Sequence, residues 1–149
     1  MLLRDNVNVV GSLQVKRYNS SNVLVEVQNF KNMVTAVGKD VIAARLIGNT
    51  IPVFSHMALG NSNVAVTTSQ TTLVTELGRA SLSTSVRTAN TITYAATFLA
   101  GTATGTLREA GIFNSASGGN MLCRTSFNTT SINKAPGDTI GITWNVTVA

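Results

Sequence analysis

The chain has 149 residues, of which only 11% are charged, and a formal net charge of +5; a typical globular protein is roughly 25% charged. Hydrophobic residues reach 44%, too many for a disordered chain, which fails to fold because it has little apolar surface to bury. Thr, Ser and Asn supply about a third of the positions, a composition foreign to a helical bundle, so the profile is that of a Thr-rich β protein.

Taken in chain order, period-two alternation dominates. Leu13 and Val15 alternate with Ser12, Gln14 and Lys16, and Val23, Val25 and Val27 alternate with Leu24, Glu26 and Gln28. The Tyr18-Asn19-Ser20-Ser21-Asn22 run between them carries turn chemistry, which predicts an N-terminal hairpin. A helix is predicted over 39–47, stopped by Gly48-Asn49, with Val41, Ala44 and Leu46 toward the sheet. A strand follows over 53–59, then a polar excursion over 60–72 and a short turn over 70–77. A second hairpin places Ala80, Leu82, Thr84 and Val86 on one face, opposite Ile92, Tyr94, Ala96 and Phe98 of the returning strand. Strands over 105–113 and 121–127 flank the Gly118-Gly119 loop. The last strand is the clearest, with Ile140, Ile142, Trp144, Val146 and Val148 on one face after the Pro136-Gly137-Asp138 turn. One domain over 1–149 is expected, an antiparallel β-sandwich with one short helix, in which residues 1–30 form a hairpin or assembly arm.

The stock of reactive groups is thin: one histidine (His56), one cysteine (Cys123) and six carboxylates. Acid–base, nucleophilic and metal sites need several such groups converging, so no enzyme, catalytic residue, metal or cofactor is expected. His56 reads as a hydrogen-bonded strand histidine and Cys123 as a core residue that forms no intrachain disulfide. The basic residues are scattered and lack interleaved aromatics, so the charge does not point to specific nucleic-acid binding. No apolar run is long enough for a transmembrane helix, and the Met1-Leu2-Leu3-Arg4 start lacks the features of a secretory signal. Glu109 shares parity with Leu107 and Phe113 and is expected to point inward, accepting backbone N–H groups or pairing with Arg79.

Several segments together resemble small virion structural proteins of tailed bacteriophages. They are residues 32–43 around the helix, His56-Met57-Ala58-Leu59-Gly60-Asn61, the 71–79 segment with Glu76 and Arg79, and Leu107-Arg108-Glu109-Ala110-Gly111-Ile112-Phe113-Asn114. Gly118-Gly119-Asn120-Met121-Leu122-Cys123-Arg124 extends the series. The resemblance implies a non-enzymatic β-sandwich that works by assembly in a virion, made in the bacterial cytoplasm. Capsid decoration (cement) is expected ahead of a tail-fibre, collar or baseplate adaptor, and a glycan-binding attachment module is the remaining alternative. The implied partners are copies of itself, as a homotrimer, and the major capsid protein or tail and baseplate proteins. Arg4, Lys16, Arg17, Tyr18 and Phe30 are the expected assembly residues.

Overall fold

Clean alternation across most of the chain makes strands, and the turns between them fix their order. The computed structural model describes residues 5–149. They form β1 (Val9–Tyr18), β2 (Leu24–Val34), α1 (Ala36–Leu46), β3 (His56–Gly60), β4 (Glu76–Thr88), β5 (Thr91–Phe98), β6 (Gly105–Leu107), β7 (Glu109–Phe113), β8 (Met121–Ser126), β9 (Ile132–Lys134) and β10 (Thr139–Val148).

Eight strands close into an antiparallel barrel in the order β1-β10-β5-β4-β3-β7-β8-β2, and β6 pairs with β9 outside it. The expected sandwich is therefore corrected to a barrel, and two long strands are the reason. β4 pairs with β3 through Glu76–Ser81 and with β5 from Leu82 onward, with a register shift between Leu82 and Thr84. β2 pairs with β1 along most of its length, then hands Met33 and Val34 to Arg124 and Cys123 of β8. Each strand turns the corner between two faces, so neither face keeps a free edge along its whole length.

The same register shift corrects a face assignment. Leu82 stays opposite Ala96, but Val86 falls opposite Thr93 on the outer side and is 55% exposed. One extra residue at a bulge reverses the pleat beyond it. A break at Arg108 likewise divides the expected 105–113 strand into β6 and β7.

The barrel interior holds Leu13, Val15, Met57, Leu59, Phe98, Ile112, Ile140, Ile142 and Trp144. The Trp144 indole Nε1 donates to Asn32 Oδ1 at 2.7 Å, giving a buried ring its polar partner. β1 lies between β10 and β2 and buries Leu13 and Val15. Residues 9–30 thus form a hairpin, as expected, and it is built into the wall. Their turn is as predicted: Asn19 Oδ1 accepts from Ser21 N and Val23 N.

The helix begins three residues earlier than expected because Thr35 caps it, its hydroxyl accepting from Gly38 N at 2.9 Å. It ends at Leu46, two residues before Gly48, whose φ of +79° suits glycine. Val41 is buried, whereas Leu46 is 83% exposed and does not face the sheet. No helix among the described residues is long and apolar enough to cross a membrane.

Candidate functional site

Two adjoining strands, β7 and β8, are buried along their whole length. A barrel strand buried on both faces needs a second layer outside the wall. Here α1 and the 61–75 loop supply it. Ala110 and Ile112 point into the barrel, while Phe113 packs outward in a separate cluster with Ala58, Met121 and Leu73 of the loop.

Glu109 and Arg124 sit on this outer side, both 0% exposed beneath the loop. Arg124 Nε donates to Glu109 Oε2 at 2.9 Å; Nη2 lies 2.9 Å from the same oxygen but outside hydrogen-bond geometry. The carboxylate also accepts from Val74 N at 3.0 Å and Thr75 N at 2.7 Å. Arg124 Nη1 donates to Val64 O and to Gln70 Oε1. One buried ion pair thereby fastens both limbs of a loop that has no regular structure of its own. Each charge is compensated by the other and by the loop's backbone, which burial requires.

Glycines let the layer approach. A Cβ on Gly60 would strike Thr75 O and the Glu109 carboxylate, and one on Gly38 would strike the Leu122 backbone. Thr35 completes the helix contact, donating to Met121 O at 2.6 Å while its N–H reaches Leu122 O at 3.0 Å.

Of the two partners expected for Glu109, backbone N–H groups are present but Arg79 is not. The break at Arg108 turns Glu109 outward, where Arg124 of the neighbouring strand is opposite Gly111. Arg79 instead grips Glu76 through Nε and Nη2 at 2.9 and 2.8 Å, and donates from Nη1 to Ser115 O and Gly118 O. Its guanidinium lies 3.9 Å above the Phe113 ring centroid. It ties the 114–120 hairpin to β4.

A second polar cluster closes one end of the barrel. Arg17 donates to Glu26 and to Asp138, each at 3.0 Å. The Ala135 N–H and Arg17 hold the Asp138 carboxyl below the usual Asp range, and Glu26 raises Arg17. Lys134 is 1% exposed and donates to Leu99 O at 3.0 Å; burial lowers its pKa, partly offset by Asp138.

The other expected assembly residues scatter. Arg4 lies outside the described residues. Lys16 and Tyr18 are half-buried on the outer side of β1, and Phe30 is turned inward, stacked on Phe127 with centroids 4.2 Å apart. Phe54 also packs on the core, so a sugar-binding face built on Tyr18, Phe30 and Phe54 would keep only Tyr18 outside it.

The His56 ring nitrogens meet Ser55 Oγ at 2.9 Å and Ser81 Oγ at 3.3 Å, not a carboxylate. Burial pushes the Cys123 thiol well up and the Tyr94 phenol to about 12, so both stay neutral. Among the described residues no three potential metal ligands converge.

Sequence reasoning missed Arg124, Gln70 and Leu73. A signal existed for the first: a cation inside the apolar run Met121-Leu122-Cys123-Arg124 demands a buried acceptor, and Glu109 was the carboxylate already in need of a partner.

The segments that carried the resemblance thus meet in one place: the helix, the Ala58-Leu59-Gly60 strand, the 71–79 segment and the Glu109–Phe113 strand build the covered face. Fold and site together define a closed β-barrel whose outer layer is pinned by a buried ion pair. Residues 27–138 match the family of the phage tail-collar fibre protein, N-terminal. The chain belongs to that family and is a structural protein of tailed phages. The match favours the tail over the capsid decoration expected from the sequence. No curated protein and no solved structure matches significantly.

Proposed function

We propose that the chain is an attachment module of the tail-collar fibre apparatus, acting by assembly and not by catalysis. The observation that carries this reading is the span of the family match, from β2 through the Asp138 turn, which includes every residue of the pinned layer. The physical logic agrees. A closed wall with a second layer locked on it presents a rigid outer surface, and rigid surfaces lose little ordering entropy when they dock. His56 lacks a hydrogen-bonded carboxylate partner, which speaks against general-base chemistry there.

The test is localisation on particles. A phage carrying this chain with an internal tag in the exposed Ser20-Ser21 turn is labelled with gold-conjugated antibody and imaged. Label at the collar or the fibre root is the expected result. Label spread over the head would return the protein to capsid decoration, and unlabelled particles would remove it from the virion.

A further inference from the structure

One barrel strand keeps an open edge over part of its length. β2 pairs with β1 from Leu24 to Asn32, but its other side meets β8 only at Met33 and Val34. In a strand the N–H and C=O of one residue point to the same side, and alternate residues share that side. Lys31 marks the side toward β8, because its C=O accepts from Thr125 Oγ1 at 2.7 Å. Asn29 and Val27 lie in unbroken register with it and face the same way. Both are exposed, and among the described residues neither has a backbone partner on that side.

Open edges are ordinarily defended by a charge, a proline or a bulge. Ser83–Thr88 of β4 is a second open stretch, since it pairs only with β5, and it is defended by Arg87 and by the register shift between Leu82 and Thr84. β2 is undefended where it is open. Its own register shift falls before Glu26. The Glu26 carboxylate is held by Arg17, and Leu24, Val25 and Val27 are 42–45% exposed.

This edge is its own complement. A two-fold axis at Gln28 brings Val27 of each copy opposite Asn29 of the other, and the N–H and C=O groups of both residues are then satisfied in both copies. The charges select the same arrangement for two chains that each carry +5. Each Lys31 falls opposite Val25 of the other copy, about 20 Å along the strand from its twin and beyond the screening length of about 8 Å. Parallel pairing in register would set the two lysines side by side.

We infer that β2 joins β2 of a second copy edge to edge, antiparallel about Gln28, so that the sheet runs on from one barrel wall into the other. The contact does not depend on where the protein sits on the particle, so its failure and a failure of localisation are separate results.

Sedimentation velocity of the full chain over a wide concentration range measures the association, and amide hydrogen exchange at the same concentrations locates it. The expected result is a dimer whose formation slows exchange at Val27 and Asn29. Val27→Pro and Asn29→Pro each remove an N–H that points away from β1 and so keep the β1–β2 ladder. Each weakens the dimer roughly tenfold or more, because two copies of the bond are lost. Val86→Glu, on the defended edge, leaves it unaltered. Circular dichroism checks the fold of each variant, and if the proline variants fail to fold, exchange in the wild type still decides. A chain that stays monomeric overturns the inference. So does a dimer that both proline variants leave intact, one that Val86→Glu disrupts as strongly, or one that forms without slowing exchange at Val27 and Asn29.

Discussion

The Glu109–Arg124 pair is buried at 0% exposure on both sides, and single substitutions there break it rather than replace it. Glu109→Gln leaves an uncompensated guanidinium under the loop, a loss of roughly 3–5 kcal/mol. Urea denaturation at neutral pH measures it directly, and a loss below about 1 kcal/mol would mean that water reaches Arg124. Gly60→Ala attacks the same lock sterically, because the added methyl meets Thr75 O and the carboxylate together; overpacking of this kind costs about 1–3 kcal/mol. Faster backbone amide exchange at Val74 and Thr75 would show that the loop has lifted. Asp138 supplies the pH dependence. Its folded pKa is depressed, so its contribution is full above the ordinary Asp value of about 4 and fades as pH falls through the folded value. Melting temperatures of the wild type and Asp138→Asn should differ at neutral pH and converge in acid; parallel curves would show that neither the Ala135 N–H nor Arg17 favours the charged carboxylate. At this scale the sequence revealed the need of Glu109 for a partner but not the partner, since parity was carried across the break at Arg108.

Strands and turns were far more legible than their faces. β10 alternates without interruption, and Ile140, Ile142, Trp144 and Val146 are buried as the pattern requires, while Val148 at the strand end is exposed. The two hairpins were legible too, from Asn and Ser at one turn and strict alternation at the other. β4 was read correctly up to Leu82 and wrongly beyond, because a bulge carries no fixed residue signature and Ser83-Thr84-Ser85 tolerates either face. β9, three residues long, is too short to show a period. The layer over β7 and β8 was hidden for another reason: irregular loops leave no periodic trace, and the 61–75 segment looks like a solvent excursion by composition. The element of greatest consequence is β1. As a wall strand it pairs on both sides and buries Leu13 and Val15, so removing residues 5–23 opens the barrel between β10 and β2. That variant should be unfolded by circular dichroism and by proton chemical-shift dispersion. A folded product would return β1 to the role of an arm.

Closure of the whole molecule depends on pairing its most distant segments. Val9 lies opposite Val148, and Asn8 and Ala149 exchange both backbone hydrogen bonds at 2.6 and 2.7 Å. Every other barrel seam joins segments nearer in sequence, β1 and β2 as an immediate hairpin. Non-local pairing of this kind makes folding slow, because the loop-closure entropy is lost before the contact forms. Since β1 and β10 are antiparallel neighbours, joining Ala149 to Asp5 through a short glycine linker makes them a hairpin. New ends opened between Ser20 and Ser21 fall in an exposed turn that already tolerates a break in the ladder. The permuted chain should form the same barrel, and because it exchanges one terminal seam for another, with β1 now pairing with β2 across the whole chain, it should refold within a few-fold of the parent rate in stopped-flow fluorescence of Trp144. Unfolding rates should change little, since the native contacts are the same. A markedly faster permutant would place the parent's limiting step at the β1–β10 seam, and a markedly slower one would show that the parent starts from its β1–β2 hairpin. A permutant that fails to fold would show instead that the β1–β2 turn, and not the β1–β10 pairing, organises the wall.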